Sequence, residues 1–277
     1  MVFSQMKKSL LIVLVPVLTL LLIFASSPPK LLAAPVSESS PIQLKLNQYY
    51  VAYTAPRAPY LDENNRLMVP LRSIADLTHS QAAYNPATKS VTLKRKNSLK
   101  EAAPSAALQV TLGSQQAVVN GKTISMDTKP VLLRGSVFVP LGMVAQAFNL
   151  GLEWDRQQHV VTLREDPAYL PSGIVMDELY FFGQHTSTTL QPTRSKIEIY
   201  SEKGSGLARL HITAQNHASS QTKSQPYLHV YVQDSNFRSL DLTANPNQTP
   251  GANLGFDTKN TILANSLRYV LVEPCKS

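Results

Sequence analysis

Residues 66 to 95 lie over residues 136 to 165 without a gap, and the two stretches carry one pattern. Val69-Pro70-Leu71 falls on Val139-Pro140-Leu141, Ala75 on Ala145, Tyr84 on Trp154, and Val91-Thr92-Leu93 on Val161-Thr162-Leu163. A fixed internal period means that one small structural unit occurs twice, so these residues serve mutual packing before any chemistry is considered. The chain therefore reads first as scaffold.

After each Val-Pro, apolar residues recur at helical spacing: Leu71, Ile74, Ala75 and Thr78 in the first copy, and Leu141, Val144, Ala145 and Phe148 in the second. This predicts a short helix with one apolar face. Proline suits the first turn, where its missing N–H would have no partner, and Gly151 is expected to close the second helix in a left-handed conformation. Each helix then gives way to period-two alternation. Leu152 and Trp154 form one arm, Asp155 to Gln158 a turn, and Val161 and Leu163 the returning arm; Ala83-Tyr84, Asn85-Pro86-Ala87, and Val91 with Leu93 do the same in the first copy. Asn120-Gly121 accepts the positive φ angles of a type I′ hairpin turn. A unit this small buries little apolar surface, so the two copies are expected to share one core. Tyr84 and Trp154 are expected to pack over the helices as part of it, with an aromatic glycan-contact surface as the other reading.

Met6-Lys7-Lys8 followed by an apolar run from Leu10 to Ala25 has the layout of an export signal. Cleavage near Ala33-Ala34 is the expectation; retention as an N-terminal anchor is the other reading, since the run is slightly long for a signal core and slightly short for a full span of about 20 residues. The formal charge is +8, and without Lys7, Lys8 and Lys30 the remainder is only mildly basic. Lys94, Arg95, Lys96 and Lys100 form the densest basic cluster. They read as a solvated linker or as a contact for an anionic polymer, whose attraction would fade with salt. No aromatic and basic residues interleave as in single-strand nucleic-acid binders, so no nucleic-acid partner is expected. Cys275 is the only cysteine; it excludes an internal disulfide and is expected to sit in a frayed tail.

Asn120-Gly121-Lys122, Asp127, Pro130, Val139-Pro140-Leu141, Trp154-Asp155 and Val161-Thr162-Leu163 together resemble the copper amine oxidase N-terminal domain, or stalk domain, of exported bacterial proteins. The likeness covers roughly residues 42 to 165. Arg72 matches the arginine of the family pattern, whereas the second copy has Gly142 there and the first has Tyr84-Asn85 for Trp-Asp. The resemblance implies a spacer or interaction module. It does not imply amine oxidation, which belongs to a separate and larger domain with histidine copper ligands.

From about residue 168 the helical period disappears. Ile197 with Ile199, Ala208 to Ala214, Leu228 to Val232, and Tyr269 with Leu271 alternate as half-buried strands do. The order of Leu210-His211-Ile212-Thr213, Val232-Gln233-Asp234-Ser235, Thr249-Pro250-Gly251, Gly255-Phe256 and Leu267-Arg268-Tyr269-Val270 is similar to immunoglobulin-like, telokin-like domains of bacterial envelope proteins. His211 and His229 fall on the polar phase of these strands and His217 lies nearby, but no His or Cys spacing supplies a tetrahedral metal set. His79, His159 and His185 are isolated. No Gly-x-Ser-x-Gly elbow occurs, and Asp62-Glu63, Glu165-Asp166 and Asp177-Glu178 read as solvated turn residues, because adjacent side chains diverge in extended chain.

The expected fold is α+β: two tandem units of small antiparallel sheet wrapped on a short helix, followed by an all-β immunoglobulin-like sandwich. Residues 1–34 are the signal or anchor, 35–41 a linker, 42–167 the stalk domain (repeats 42–97 and 107–165), and 168–277 the sandwich. The expected function is that of a non-enzymatic exported envelope protein binding a wall polyanion or a protein, with no cofactor, metal or catalytic residue. The other class is a metal-dependent or hydrolytic enzyme using a shared His211/His229 face.

Overall fold

The computed structural model describes residues 42–53, 58–95, 106–166, 169–170, 189–202, 205–217, 227–232, 238–243, 253–257, 262–263 and 267–275, all within the compact unit Glu38–Ser277. It is β-rich with two short helices among the described residues, neither long and apolar enough to cross a membrane.

The chain opens with a hairpin, β1 (Gln43–Leu46) and β2 (Tyr49–Tyr53), then β3 (Tyr60–Leu61) and β4 (Leu67–Pro70) lead into α1 (Leu71–Leu77) and the hairpin β5 (Gln81–Asn85) and β6 (Ser90–Arg95). After β7 (Ala106–Thr111) the order recurs: hairpin β8 (Gln116–Val119) and β9 (Lys122–Ser125), β10 (Val131–Leu133), β11 (Ser136–Pro140), α2 (Leu141–Phe148), and hairpin β12 (Gly151–Asp155) and β13 (Val160–Arg164). The remaining strands are β14 (Leu190–Glu202), β15 (Ser205–Asn216), β16 (Tyr227–Val232), β17 (Arg238–Thr243), β18 (Asn253–Asp257), β19 (Ile262–Leu263) and β20 (Tyr269–Cys275).

Local chemistry explains the repeated pieces. Pro70 and Pro140 have extended backbones (φ −65°, ψ 123° and φ −63°, ψ 125°). They end β4 and β11 as helix N-caps, so each helix begins one residue later than a proline in the first turn would give. Asn149, not Gly151, closes α2 in the left-handed region (φ 56°); asparagine tolerates that region well, and Gly151 is the first residue of β12. The equivalent His79 also has positive φ (46°), as do Lys89 and His159 in the two hairpin turns (51° and 54°). Asn85 and Asp155, also equivalent, each accept turn amides on Oδ1: Ala87 N–H at 3.0 Å, and Gln157 and Gln158 N–H at 2.9 and 3.0 Å. Asn47 (φ 52°) turns the first hairpin as Asn120 (φ 49°) turns β8–β9.

Strands β4 and β11 pair antiparallel with Val69 opposite Val139, inside the four-stranded order β10-β11-β4-β3. Equivalent residues meet there, so the two Val-Pro-Leu segments are related by an approximate two-fold. The flanking hairpins are exchanged: β5–β6 joins β8–β9 through β7 in a five-stranded sheet, while β12–β13 joins β1–β2 in a seven-stranded one, with β1 parallel to β13. One buried cluster draws Leu71, Ile74 and Leu93 from the first segment and Leu141, Phe148 and Leu163 from the second.

The seven-stranded sheet runs β12-β13-β1-β2-β20-β16-β17, so the C-terminal strand sits beside the N-terminal hairpin. Alternation sorts its side chains between two cores. Tyr49, Val51, Tyr53, Tyr269 and Leu271 enter the cluster that holds the helices. Tyr50, Ala52, Val230, Val270 and Val272 enter a second, shared with Leu210, Ile212, Leu254 and Phe256 of the β14-β15-β18 sheet. Continuous apolar runs in β2 and β20 are what a strand covered on both faces requires. The expected boundary between residues 167 and 168 is thus crossed by a continuous sheet.

Candidate functional site

The basic cluster is divided by the pleat. Lys94 is exposed, Arg95 is buried, and Lys96 and Lys100 lie outside the described residues. Arg95 pairs with Glu165 through Nη1, donates from Nη2 to Phe148 O at 2.8 Å, and places its guanidinium 4.9 and 4.6 Å from the ring centroids of Phe148 and Tyr169. A buried guanidinium held this way cannot meet a polymer in solution, which removes Arg95 from the expected contact. Its phase was the available signal: Val91, Leu93 and Arg95 share one face of β6. Glu165, read from sequence as a solvated turn residue, is likewise buried. Burial pushes its carboxyl up, against the opposing pull of Arg95.

His211 and His229 do not share a face, since β15 and β16 belong to different sheets. Each meets the aspartate across from it: His211 Nδ1 lies 2.5 Å from Asp257 Oδ1, and His229 Nδ1 lies 2.5 Å from Asp241 Oδ1. His211 Nε2 is also 3.6 Å from Glu198. His217 bonds Gln191 (3.0 Å) and His79 the Tyr169 carbonyl (2.6 Å); His185 is outside the described residues. Among the described residues no group of three or more His, Cys, Asp or Glu side chains is arranged to hold a metal. Cys275 is not frayed: it ends β20, only 3% exposed. Burial first, and then the Glu273 charge, raises its thiol to about 12. Asp177 and Glu178 lie outside the described residues. Asp62 accepts the amides of Asn64 and Arg66 at 3.0 and 2.8 Å and the Thr128 hydroxyl. Although burial pulls the other way, these bonds and the Arg66 charge hold its carboxyl below the usual range.

Tyr84 and Trp154, expected in the core, are 50% and 43% exposed, and Leu152 is 46% exposed. Both stand on edge strands, β5 and β12, in which every residue is exposed. Tyr84 is paired with Val91 and Trp154 with Val161, and those valines are buried on the same faces of their sheets. The inner strands β6 and β13 are mostly buried, and the outer ones are open to solvent. A shallow, solvent-open groove at this edge is lined by Lys45, Glu153, Asp155, Arg156, Gln158 and Thr162; Lys45, Glu153, Asp155 and Thr162 are out of phase with Trp154 and Val161 and stand on the opposite face of the sheet. Arg164 grips Glu153 with two hydrogen bonds of 3.1 and 2.9 Å, fastening β12 to β13. Lys45 stands 4.9 Å from the Tyr50 ring centroid; burial, then Arg164, lowers its ammonium pKa. The exposed indole offers a flat stacking surface on one face of this edge, and the polar side chains of the groove lie on the other.

Residues 45–163 match the family model described as Copper amine oxidase N-terminal domain, and that segment belongs to the family its motifs resemble. It reaches from inside β1 to inside β13. No curated protein and no solved structure matches the chain significantly.

Proposed function

We infer that the protein is an exported, non-enzymatic part of the cell envelope: a rigid spacer that presents the β12 edge, and its counterpart at β5, to a wall polymer. The strands after residue 168 are read as an immunoglobulin-like sandwich that borrows one sheet from the two tandem units. The observation that carries the reading is the pair Tyr84 and Trp154, equivalent in sequence and both set in water on open edges. Large aromatics normally go inside, and one placed identically twice on a surface has the chemistry to stack on the apolar face of a sugar ring. Arg156, in the turn that follows Trp154, suits an anionic chain, and the sequence of the leader supports export.

Co-sedimentation of the full chain with purified wall material tests this. The protein is expected to pellet, less so at high salt, and Trp154→Ala should weaken retention by roughly tenfold, as loss of a contact aromatic does. Recovery no better than that of an unrelated protein of similar charge would end the reading.

A further inference from the structure

The β10–β11 hairpin carries two leucines that the fold leaves in water. Leu132 is 62% and Leu133 40% exposed, and as strand neighbours they point to opposite sides, so the end of the hairpin is apolar on both faces. Its turn is Arg134-Gly135, with φ of 50° and 73°, the positive pair of a type I′ turn. Positive φ is uncommon for a residue without the short polar side chain of Asn or Asp, yet here it sets a cation at the tip. Lys129 is exposed on the approach, and no acidic residue occurs between Asp127 and Glu153. Asp127 is itself paired with Arg66. At its base the hairpin is fixed: Phe138 is 1% exposed and packs on the Tyr60 ring with centroids 5.3 Å apart.

Single exposed leucines need no explanation. Two of them at one tip, with Arg134 in the turn and Lys129 on the approach, match the pairing of aliphatic insertion with headgroup attraction found at membrane interfaces. Leucines offer neither a flat ring nor a hydrogen-bonding group, so this end of the molecule differs in chemistry from the Trp154 edge.

We propose that the tip Leu132-Leu133-Arg134 inserts into the interface of an anionic lipid bilayer, with the leucines at the acyl boundary, Lys129 at phosphate level and the long Arg134 side chain reaching back to the phosphates. This contact is independent of the wall-polymer reading and orients the body on the membrane.

The test uses the full chain carrying Trp154→Phe and Leu132→Trp, so that one indole reports on the tip. It is reconstituted into vesicles of phosphatidylglycerol and phosphatidylcholine in equal parts, or of phosphatidylcholine alone. In the anionic vesicles the emission should shift to the blue and be quenched by bromine-labelled acyl chains. Adding Lys129→Gln or Arg134→Gln should lower the inserted fraction by about fivefold for each cation removed. Emission that stays water-like, or that is the same in both vesicle types, overturns the proposal. So does an indole shielded from aqueous iodide yet unquenched by the labelled lipid, which would mean that protein, a second copy or another segment, covers the tip.

Discussion

Cys275 and Arg95 show how a residue's surroundings overrule its place in the chain. A cysteine three positions from the end reads as loose, but β20 pairs with both β2 and β16 and carries the sulfur into the fold. With its thiol pushed to about 12, almost no thiolate exists near neutrality, and the thiolate is the reactive form. Iodoacetamide at mildly alkaline pH is therefore expected to leave the folded chain unmodified and to alkylate it fully in denaturant, read by intact mass. Rapid labelling of the folded protein would contradict the strand assignment. Arg95 was legible only in part. Its phase with Val91 and Leu93 announced burial, but the counter-charge that makes burial tolerable, Glu165, lies in the other repeat. Local sequence cannot display such a partner.

Elements whose cause is local were read from the sequence with little error. The Val-Pro boundary, the Asn-Gly turn and the alternating arms each depend on a few neighbouring residues, and each lies where those residues place it. What alternation cannot tell is whether anything covers a given face. Tyr84 and Trp154 occupy the inward phase of their strands, but those strands are the sheet edges and every residue on them is exposed, and which strand ends at an edge is a tertiary quantity. Gly151 gives a test at this scale. A Cβ built there would lie 2.8 Å from Arg164 Cβ and 3.2 Å from its Cγ, and Cβ cannot swing aside as a side-chain end would. Gly151→Ala should push β12 off β13 and cost about 1–3 kcal/mol in urea denaturation, the usual range for overpacking. A variant as stable as the parent would mean that the two strands are not so closely apposed.

Across the whole molecule, the seven-stranded sheet unites segments that the sequence presents as separate domains. The repeat and the loss of helical period after residue 168 were both visible, but the pairing of Tyr50 with Val272 left no local trace beyond the unbroken apolar runs of β2 and β20. Because those two strands serve both cores, calorimetry of the purified chain should give one cooperative transition over residues 42–275, with calorimetric and van't Hoff enthalpies in agreement. A fragment ending at residue 167 should be poorly folded, since it would bare the edge of β2 and the face holding Tyr50 and Ala52. Two well-separated transitions would show the halves to be independent. The position of β2 between β1 and β20 also bears on how the protein comes into being. The early hairpin β1–β2 is completed by β20, which is made only after all the intervening strands, and contacts this distant along the chain form slowly. Until then the nascent polypeptide keeps an open sheet edge, a state that, left unattended, invites aggregation.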